Sequence, residues 1–368
     1  MSHSIGLYLH IPFCLRKCGY CDFYSCKGNE ALYDQYTSAL LAALGRYGDA
    51  GSYEADSCYF GGGTPSLLGP KRVGTLLAAA EKYYGLNRAE ITLEVNPATA
   101  SLADFQGYRA AGVNRLSIGM QTGVDEELAS LGRLHTAKDT VRAVEEARRA
   151  GFENLSLDLM LGIPGQTEES LGETLSLVKQ LSPAHVSAYL LKIEAGTPFS
   201  LRPADEFPGE EAQVALYRSA CQSLEAMGLR QYEISNFARP GFASRHNLKY
   251  WNGEEYLGLG PAAHSFLNGQ RFFYPRDLEG FLLGKPPVSD GAGGDFEEYV
   301  LLRLRLVEGL TEEGVQARFG QSIPQRLRKR AKPLSAAGLM EEDNRGLRLT
   351  RDGFLVSNEI LARLLAEG

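Results

Sequence analysis

The sequence has no long apolar run, since its 368 residues contain no uninterrupted apolar stretch of eighteen. A helix that crosses a membrane needs about twenty apolar residues, so an integral membrane segment is excluded. Residues 1–4 also lack the basic and then apolar pattern of a signal peptide. We therefore expect a cytoplasmic protein, and peripheral contact is the only membrane association that the sequence allows.

Basic residues are in the minority, because 38 lysines and arginines stand against 45 aspartates and glutamates, giving a formal charge of −7. Nucleic-acid-binding domains carry a concentrated basic face. The one dense basic group here, residues 326–332, has the spacing of a solvated helix face. We therefore expect no nucleic-acid partner.

Cysteine is also scarce, with six residues in the chain: Cys14, Cys18, Cys21, Cys26, Cys58 and Cys221. Three of them crowd into one short segment, which is a poor framework for disulfides and suits metal ligation in a reducing compartment. We expect Cys58 to be buried on its strand. For Cys26, beside the other three cysteines, we expect no part in binding, with ligand binding by its flexible thiol as the alternative.

The first half of the chain alternates short apolar runs with amphipathic segments of helical length. Strands are predicted at residues 5–9, 57–60, 91–95, 115–118, 155–161 and 186–190. Helices are predicted between them at residues 31–46, 70–84, 102–110, 137–150 and 167–181, the third opened by a capping signal from Ser101 to Asp104. This alternation predicts an α/β fold with a parallel sheet and right-handed crossovers, as an open or closed barrel.

The second half of the chain does not continue the alternation of predicted strands and helices. A helix is predicted at residues 209–227, and residues 231–269 are rich in glycine, aromatics and histidine. Turn formers at 284–287 and 291–294 predict a linker. Helical patterns at 310–319 and 324–337, followed by a hairpin at 339–349, predict a small winged-helix-like α+β domain. The predicted domains are 1–235 (barrel), 236–290 (barrel extension) and 291–368 (C-terminal domain).

The chemistry begins with Cys14, Cys18 and Cys21, spaced C-x3-C-x2-C after the first predicted strand. Thiolates are the ligands of iron–sulfur clusters, and three of them leave one iron of a four-iron cluster open for reaction. The alternative is a zinc site, which needs a fourth ligand such as Cys26 or His10. His10 could equally orient the cysteine loop through a hydrogen bond.

Further polar and glycine-rich segments follow the predicted strands. Residues 61–65 form a Gly-Gly-Gly-Thr-Pro turn, where glycines let a ligand approach the backbone and exposed amides can bind its polar groups. Glu94, Gln121 and Asp158 lie at the carboxyl ends of three strands. In a parallel barrel these ends build the binding site, so the three side chains are expected to line one pocket.

The cysteine loop resembles the signature of the radical S-adenosylmethionine (SAM) superfamily. The resemblance is closer to the HemN/HemW group, which includes the oxygen-independent coproporphyrinogen III oxidases, and it is carried by residues 8–14, 61–65, 94–97, 115–121, 158–164 and 349–353. It implies a partial (β/α)6 radical SAM barrel with a [4Fe–4S] cluster on Cys14, Cys18 and Cys21. It also implies SAM chelated at the open iron and an electron donor for the cluster.

The same resemblance implies roles for further residues. Those that match positions facing the cluster-bound SAM are Tyr8, Gly63, Glu94 and His264. Those that match positions facing a second SAM in the oxidase are Tyr20, Thr64, Pro65, Gln121, Arg133, Asp158 and Lys192.

The sequence departs from the oxidase at Phe23, where that enzyme has a further cysteine. This departure and the segments 246–251 and 258–265 resemble the HemW branch, which implies a haem chaperone that delivers haem to respiratory haem proteins. His246 is then a candidate haem ligand, with a structural hydrogen-bonding role as the alternative. The alternative functions are anaerobic decarboxylation of coproporphyrinogen III and radical SAM chemistry on an unrelated substrate.

Overall fold

The computed structural model describes residues 3–48 and 53–366. The strands within these ranges are β1 (His3–Ile11), β2 (Tyr53–Gly62), β3 (Glu90–Val95), β4 (Arg115–Gln121), β5 (Asn154–Leu161), β6 (His185–Leu190), β7 (Arg230–Gln231), β8 (Asn236–Ala238), β9 (Tyr256–Leu259), β10 (His264–Leu267), β11 (Gln270–Phe273), β12 (Val288–Ala292), β13 (Leu310–Thr311), β14 (Met340–Glu342) and β15 (Gly346–Leu349).

The helices within the same ranges are α1 (Glu30–Gly48), α2 (Gly69–Tyr84), α3 (Leu102–Ala110), α4 (Asp125–Ser130), α5 (Ala137–Arg149), α6 (Glu168–Leu181), α7 (Glu210–Ala226), α8 (Arg245–Asn252), α9 (Leu278–Leu282), α10 (Phe296–Arg303), α11 (Glu312–Phe319), α12 (Gln325–Ala336), α13 (Arg351–Leu355) and α14 (Ser357–Leu365). None of the described helices is long and apolar enough to cross a membrane.

The six strands β1 to β6 lie side by side in sequence order, and each pairs with the next in parallel. The outer edge of β1 pairs with β9 and the outer edge of β6 pairs with β8, so the first and sixth strands do not close on each other. The α/β fold and the partial (β/α)6 barrel predicted from the sequence are therefore confirmed. Carboxyl ends of all six strands meet at one rim of the barrel.

Side-chain alternation along β1 shows how the barrel buries its core. Leu7 and Leu9 are fully buried in the main apolar cluster, which the surrounding helices share. Tyr8 and His10 point to the other face, which the barrel encloses, because successive strand residues face opposite sides. On β2, Cys58 is fully buried, as expected. The barrel interior is thus lined by polar and aromatic side chains.

Helix starts follow local signals that the sequence carries. Ser101 caps α3 in a capping box with Asp104, as predicted, and Thr136 and Thr167 cap α5 and α6 in the same way. Helix α4 was not predicted, since a helix of six residues is too short to show an amphipathic period.

Two sequence predictions for the second half are corrected. Residues 284–294 do not form an irregular linker throughout, because β12 lies within them and pairs with β11. Residues 310–311, predicted as helical, form the short strand β13, and Thr311 caps the helix that follows. The hairpin is confirmed as β14 and β15, and the residues from Tyr299 to Leu364 pack into an apolar cluster of their own.

Candidate functional site

The cysteine loop connects β1 to α1 at the carboxyl rim of the barrel and is tied at both ends by backbone hydrogen bonds. The amide of Cys14 donates to the carbonyl of Cys26 at 2.9 Å, and the amide of Cys26 donates to the carbonyl of Pro12 at 2.7 Å. His10 Nε2 lies 3.1 Å from the carbonyl oxygen of Tyr24, within hydrogen-bonding distance. His10 therefore orients the loop from the barrel interior through a hydrogen bond, which was one of the two roles considered for it, the other being a metal ligand.

The three thiols of this loop lie in a partly buried, polar setting. Cys14 Sγ is 3.6 Å from Thr64 Oγ1, and Arg133 Nη1 is 3.9 Å from Cys18 Sγ. Burial raises the pKa of the Cys21 thiol. A guanidinium beside the sulfurs favours the anionic form that metals bind. The loop thus offers three thiols, and Arg133, from a distant part of the chain, places a cation beside Cys18.

The chemical type of these donors bears on the kind of metal site they could form. Among residues 3–48 and 53–366, no three His, Cys, Asp or Glu side chains converge as the ligands of one metal ion would. Thiolates are the ligands of iron–sulfur clusters, so the donor set of Cys14, Cys18 and Cys21 fits such a cluster by its chemistry.

The glycine turn after β2 lies directly against the cysteine loop. Gly62 has a φ of +113°, and a Cβ at Gly63 would stand 2.6 Å from the carbonyl oxygen of Phe13. The amide of Gly63 donates to the carbonyl of Ile11 at 2.9 Å, and that of Thr64 to Phe13 at 2.7 Å. The amides expected to be exposed are therefore already paired, and this prediction is wrong. These hydrogen bonds continue the pairing of β1 with β2 beyond the ends of the strands, so the glycine turn and the cysteine loop hold each other in place.

Glu94 faces the glycine turn from the end of β3. Its Oε1 accepts a hydrogen bond of 2.9 Å from Tyr59 Oη, and its Oε2 accepts one of 3.1 Å from the Gly62 amide. Burial, reinforced by the nearby Asp158 carboxylate, raises the pKa of Glu94 to about 7. On β1, Tyr8 Oη lies 3.1 Å from His10 Nδ1, two residues further along the same strand. A carboxylate held by two donors, as here, can accept further hydrogen bonds from hydroxyl or ammonium groups of a ligand.

A second group of predicted residues lies around Arg133. Its Nη2 donates to the carbonyl of Gly119 at 2.9 Å, and a small cavity of about 20 Å³ brings Arg133 together with Cys18 and Thr64. Gln121, at the end of β4, has a positive φ of 64°, a strained backbone that is often found at binding sites. Tyr20 packs edge-on against Phe199 with ring centroids 6.0 Å apart.

The remaining predicted site residues lie in different environments, some buried and some exposed. Asp158 accepts a hydrogen bond of 2.9 Å from Ser117 inside the barrel. Pro65 is buried at the start of the turn that follows the glycines. Lys192 is 80% exposed and forms an ion pair of 2.7 Å with Glu194. His264 is exposed, and its ring stacks on Phe273 at 5.2 Å. The structure therefore joins Asp158 to the barrel interior and leaves Lys192 in solvent.

His246 lies in the barrel at the opposite end from the cysteine loop. Its side chain is 1% exposed, with Nδ1 at 2.9 Å from Ser57 Oγ and Nε2 at 2.8 Å from Tyr250 Oη. Burial lowers the pKa of His246 to about 3. Both ring nitrogens are occupied, so coordination of a haem iron would break one of these hydrogen bonds. The geometry favours the structural alternative that the sequence left open.

Sequence reasoning missed two residues of this interior. Tyr59 contacts both Glu94 and His246. Side chains alternate between the two faces of β2, and because Cys58 and Phe60 are buried on one face, the pattern could have placed Tyr59 on the interior face. Glu90 accepts hydrogen bonds from the amides of Arg245 and His246 at the start of α8. No local pattern could have found this pairing, because its partners are more than 150 residues apart in the chain.

Comparison with known proteins agrees with this geometry. Residues 8–178 match the model of the radical SAM superfamily, and residues 295–356 match that of the HemN C-terminal domain. The proteins named heme chaperone HemW from Bacillus subtilis and Escherichia coli are 33% and 36% identical over 98% and 99% of this chain, and the chain covers 99% and 98% of them. A mitochondrial radical SAM domain-containing protein 1 from Danio rerio is 33% identical over the whole chain and 88% of its own length.

The structure of coproporphyrinogen III oxidase (HemN) from Escherichia coli has the same fold, with a TM-score of 0.85 at 22% identity over 99% of this chain and 90% of that one. Membership of the radical SAM superfamily implies a [4Fe–4S] cluster and SAM. The chain belongs to the radical SAM superfamily and, within it, to the HemN/HemW group, on the HemW side.

Proposed function

We propose that the chain is a haem chaperone of the HemW type, which binds a [4Fe–4S] cluster on Cys14, Cys18 and Cys21 and SAM beside it. The observation that carries the SAM site is the direct joining of the cysteine loop to the glycine turn and, through Gly62, to Glu94. When bound, the cluster would supply an open iron and an electron from a donor protein. The residues of the chain hold and orient SAM.

The residues assigned to SAM divide according to what they can do. Glu94 and Tyr8 present hydrogen-bonding groups from the barrel interior, and Gly63 keeps the backbone close to the cysteine loop. His264 approaches from the exposed edge. Arg133 holds the loop that carries Cys18, and Tyr20, Thr64, Pro65, Gln121, Asp158 and Lys192 complete the proposed set around the rim.

Haem binding and its delivery to respiratory haem proteins are the finer part of the proposal. Its support is the similarity, over nearly the full length, to proteins named heme chaperone. Among the histidines whose side chains the structure describes, His264 alone is exposed. His264 belongs to the proposed SAM set, but its exposure also makes it a candidate, beside His246, for an imidazole ligand to haem iron, and the two are to be compared without SAM present.

The discriminating experiment uses the cluster-loaded chain prepared without oxygen. Haem is titrated by absorbance, and SAM-dependent loss of carboxyl groups from coproporphyrinogen III is measured in parallel. We expect stable haem binding and no decarboxylation, because exposed Phe23 occupies the position of the oxidase's further cysteine. Rapid decarboxylation without stable haem binding would contradict the chaperone proposal.

Two single variants then address the axial ligand. We expect His264→Ala to weaken haem binding or change its absorbance, and His246→Ala to leave the haem spectrum unchanged, because the His246 imidazole is buried and already bonded. The opposite pattern would identify His246 as the ligand.

A further inference from the structure

The imidazole of His246 is held in one orientation, although nothing in the proposed site uses it directly. Ser57 on β2 and Tyr250 on α8 occupy its two nitrogens at 2.9 and 2.8 Å. The flat face of the ring stacks on Tyr59, with centroids 5.2 Å apart and planes inclined by 28°. The Tyr59 ring is thereby supported from the interior of the barrel.

Tyr59 in turn sets the position of the carboxylate assigned to SAM. Its hydroxyl donates to Glu94 Oε1 at 2.9 Å, while the second carboxylate oxygen accepts from the Gly62 amide at 3.1 Å. A Cβ at Gly61 would stand within 3.1 Å of Tyr59, Tyr8 and Glu94, so these groups are packed without spare space. A shift of the Tyr59 ring must therefore displace Glu94 or break its hydrogen bond.

The same imidazole also lies against Tyr8. Their ring centroids are 6.3 Å apart with planes inclined by 28°, and the Tyr8 hydroxyl reaches His10 Nδ1 at 3.1 Å. His246 thus supports two tyrosines, one that bonds Glu94 and one that contacts the histidine orienting the cysteine loop.

We propose that His246 is a positioning residue for SAM, which fixes Glu94 through Tyr59 and supports Tyr8. This inference rests on the proposed assignment of Glu94 to SAM. It gives the 246–251 segment a role in the SAM site that requires no contact between His246 and haem.

The barrel contains a matched control. His185 on β6 is also fully buried, with Nδ1 at 2.7 Å from Ser156 Oγ and Nε2 at 2.8 Å from Tyr232 Oη. Within residues 3–48 and 53–366, the hydrogen bonds and ring contacts of His185 go to Ser156 and Tyr232, and none joins it to Tyr59 or Glu94. Replacing either histidine removes a buried imidazole and the same two kinds of hydrogen bond, but only one replacement removes support from Glu94.

The test measures the dissociation constant of SAM for the full chain, loaded with its cluster under anaerobic conditions. We expect His246→Ala to raise this constant about tenfold, the value of one to two well-placed hydrogen bonds. We expect His185→Ala to change it by less than about twofold. Cluster absorbance and circular dichroism confirm that each variant is folded and loaded.

Tyr59→Phe removes only the hydroxyl that bonds Glu94, so it tests the Tyr59–Glu94 part of the proposed route even if His246→Ala fails to fold. We expect Tyr59→Phe to raise the SAM dissociation constant. The double variant with His246→Ala should bind SAM no more weakly than whichever single variant binds it less tightly, because both substitutions act on Glu94. Additive losses in the double variant would overturn the proposed route through Tyr59.

Unchanged SAM binding in His246→Ala, or an equal loss in His185→Ala, would overturn the inference alone. A wild-type chain that carries its cluster but binds no SAM would overturn the proposed function, and the inference with it.

Discussion

Glu94 is a proposed SAM-site residue whose pKa is raised by its surroundings. Burial and the Asp158 carboxylate raise its pKa to about 7 from an ordinary value of 4.5. The folded state therefore binds a proton that the unfolded chain has lost between these two pH values. The contribution of Glu94 to stability consequently falls as the pH rises from about 4.5 to 7.

We expect Glu94→Gln to remove this pH dependence, because the amide does not titrate. Between pH 5 and pH 7.5 the ligand-free wild type should lose about 2 kcal/mol of unfolding free energy more than the variant, in urea titrations at each pH. Parallel pH profiles for the two proteins would show that Glu94 is ionised as in water. The variant should also bind SAM more weakly.

At the residue scale, the sequence indicated which residues are candidates for the site better than it indicated where their side chains and amides point. Residue type and spacing mark Cys14, Cys18 and Cys21 as candidate cluster ligands, and this assignment stays a prediction. The place of His246 could not be predicted, because it depends on Ser57, nearly 190 residues earlier in the chain. The direction of the glycine amides depends on the pairing of β1 with β2, which residue types do not reveal.

At the scale of elements, the glycine turn is held by conformation as well as contact. Gly62 has a φ of +113°, and a Cβ there would stand 2.5 Å from the His10 ring. We expect Gly62→Ala to cost about 2 kcal/mol of unfolding free energy and to weaken SAM binding. Gly172→Ala in α6 is the control, because no atom lies within 4 Å of the added Cβ and helical alanine is favourable. Similar unfolding midpoints for both variants would contradict this account of the turn.

The start of helix α8 is held by a carboxylate from β3. Glu90 accepts from the amides of Arg245 and His246 at 3.1 Å and from Ser244 Oγ at 3.4 Å, where the helix dipole also favours negative charge. We expect Glu90→Ala to lower the unfolding free energy by about 3 kcal/mol, because buried donors lose their partner. Glu145→Ala, at an exposed position of α5, should change it by less than about 0.5 kcal/mol. An equal effect of the two variants in chemical denaturation would refute this role.

Elements with a strong local period were predictable, and those held by a partner were not. The six barrel strands follow from the alternation of apolar runs with helical segments along the chain. The capping box of α3 follows from Ser101 and Asp104. Strand β12 was missed because its residues, which include Gly291, are turn formers and its pairing with β11 supplies the strand geometry.

At the scale of the whole molecule, α8 joins the barrel to the C-terminal domain. Within the barrel it contacts Glu90, and on its other side Asn252 accepts a hydrogen bond from Arg303, while Arg305 lies 5.1 Å from the Trp251 ring centroid. The cysteine loop occupies the opposite rim. The fold therefore separates the end that holds the proposed cofactors from the end that anchors the C-terminal domain.

The central claim is that three cysteines hold a cluster whose open iron binds SAM. Its most direct test is electron paramagnetic resonance of the reduced, reconstituted full chain before and after SAM is added. The account predicts about four irons per chain, a spectrum that changes with SAM, and loss of both in Cys14→Ser, Cys18→Ser and Cys21→Ser. A cluster retained in these variants, or a wild-type spectrum that SAM leaves unchanged, would contradict it.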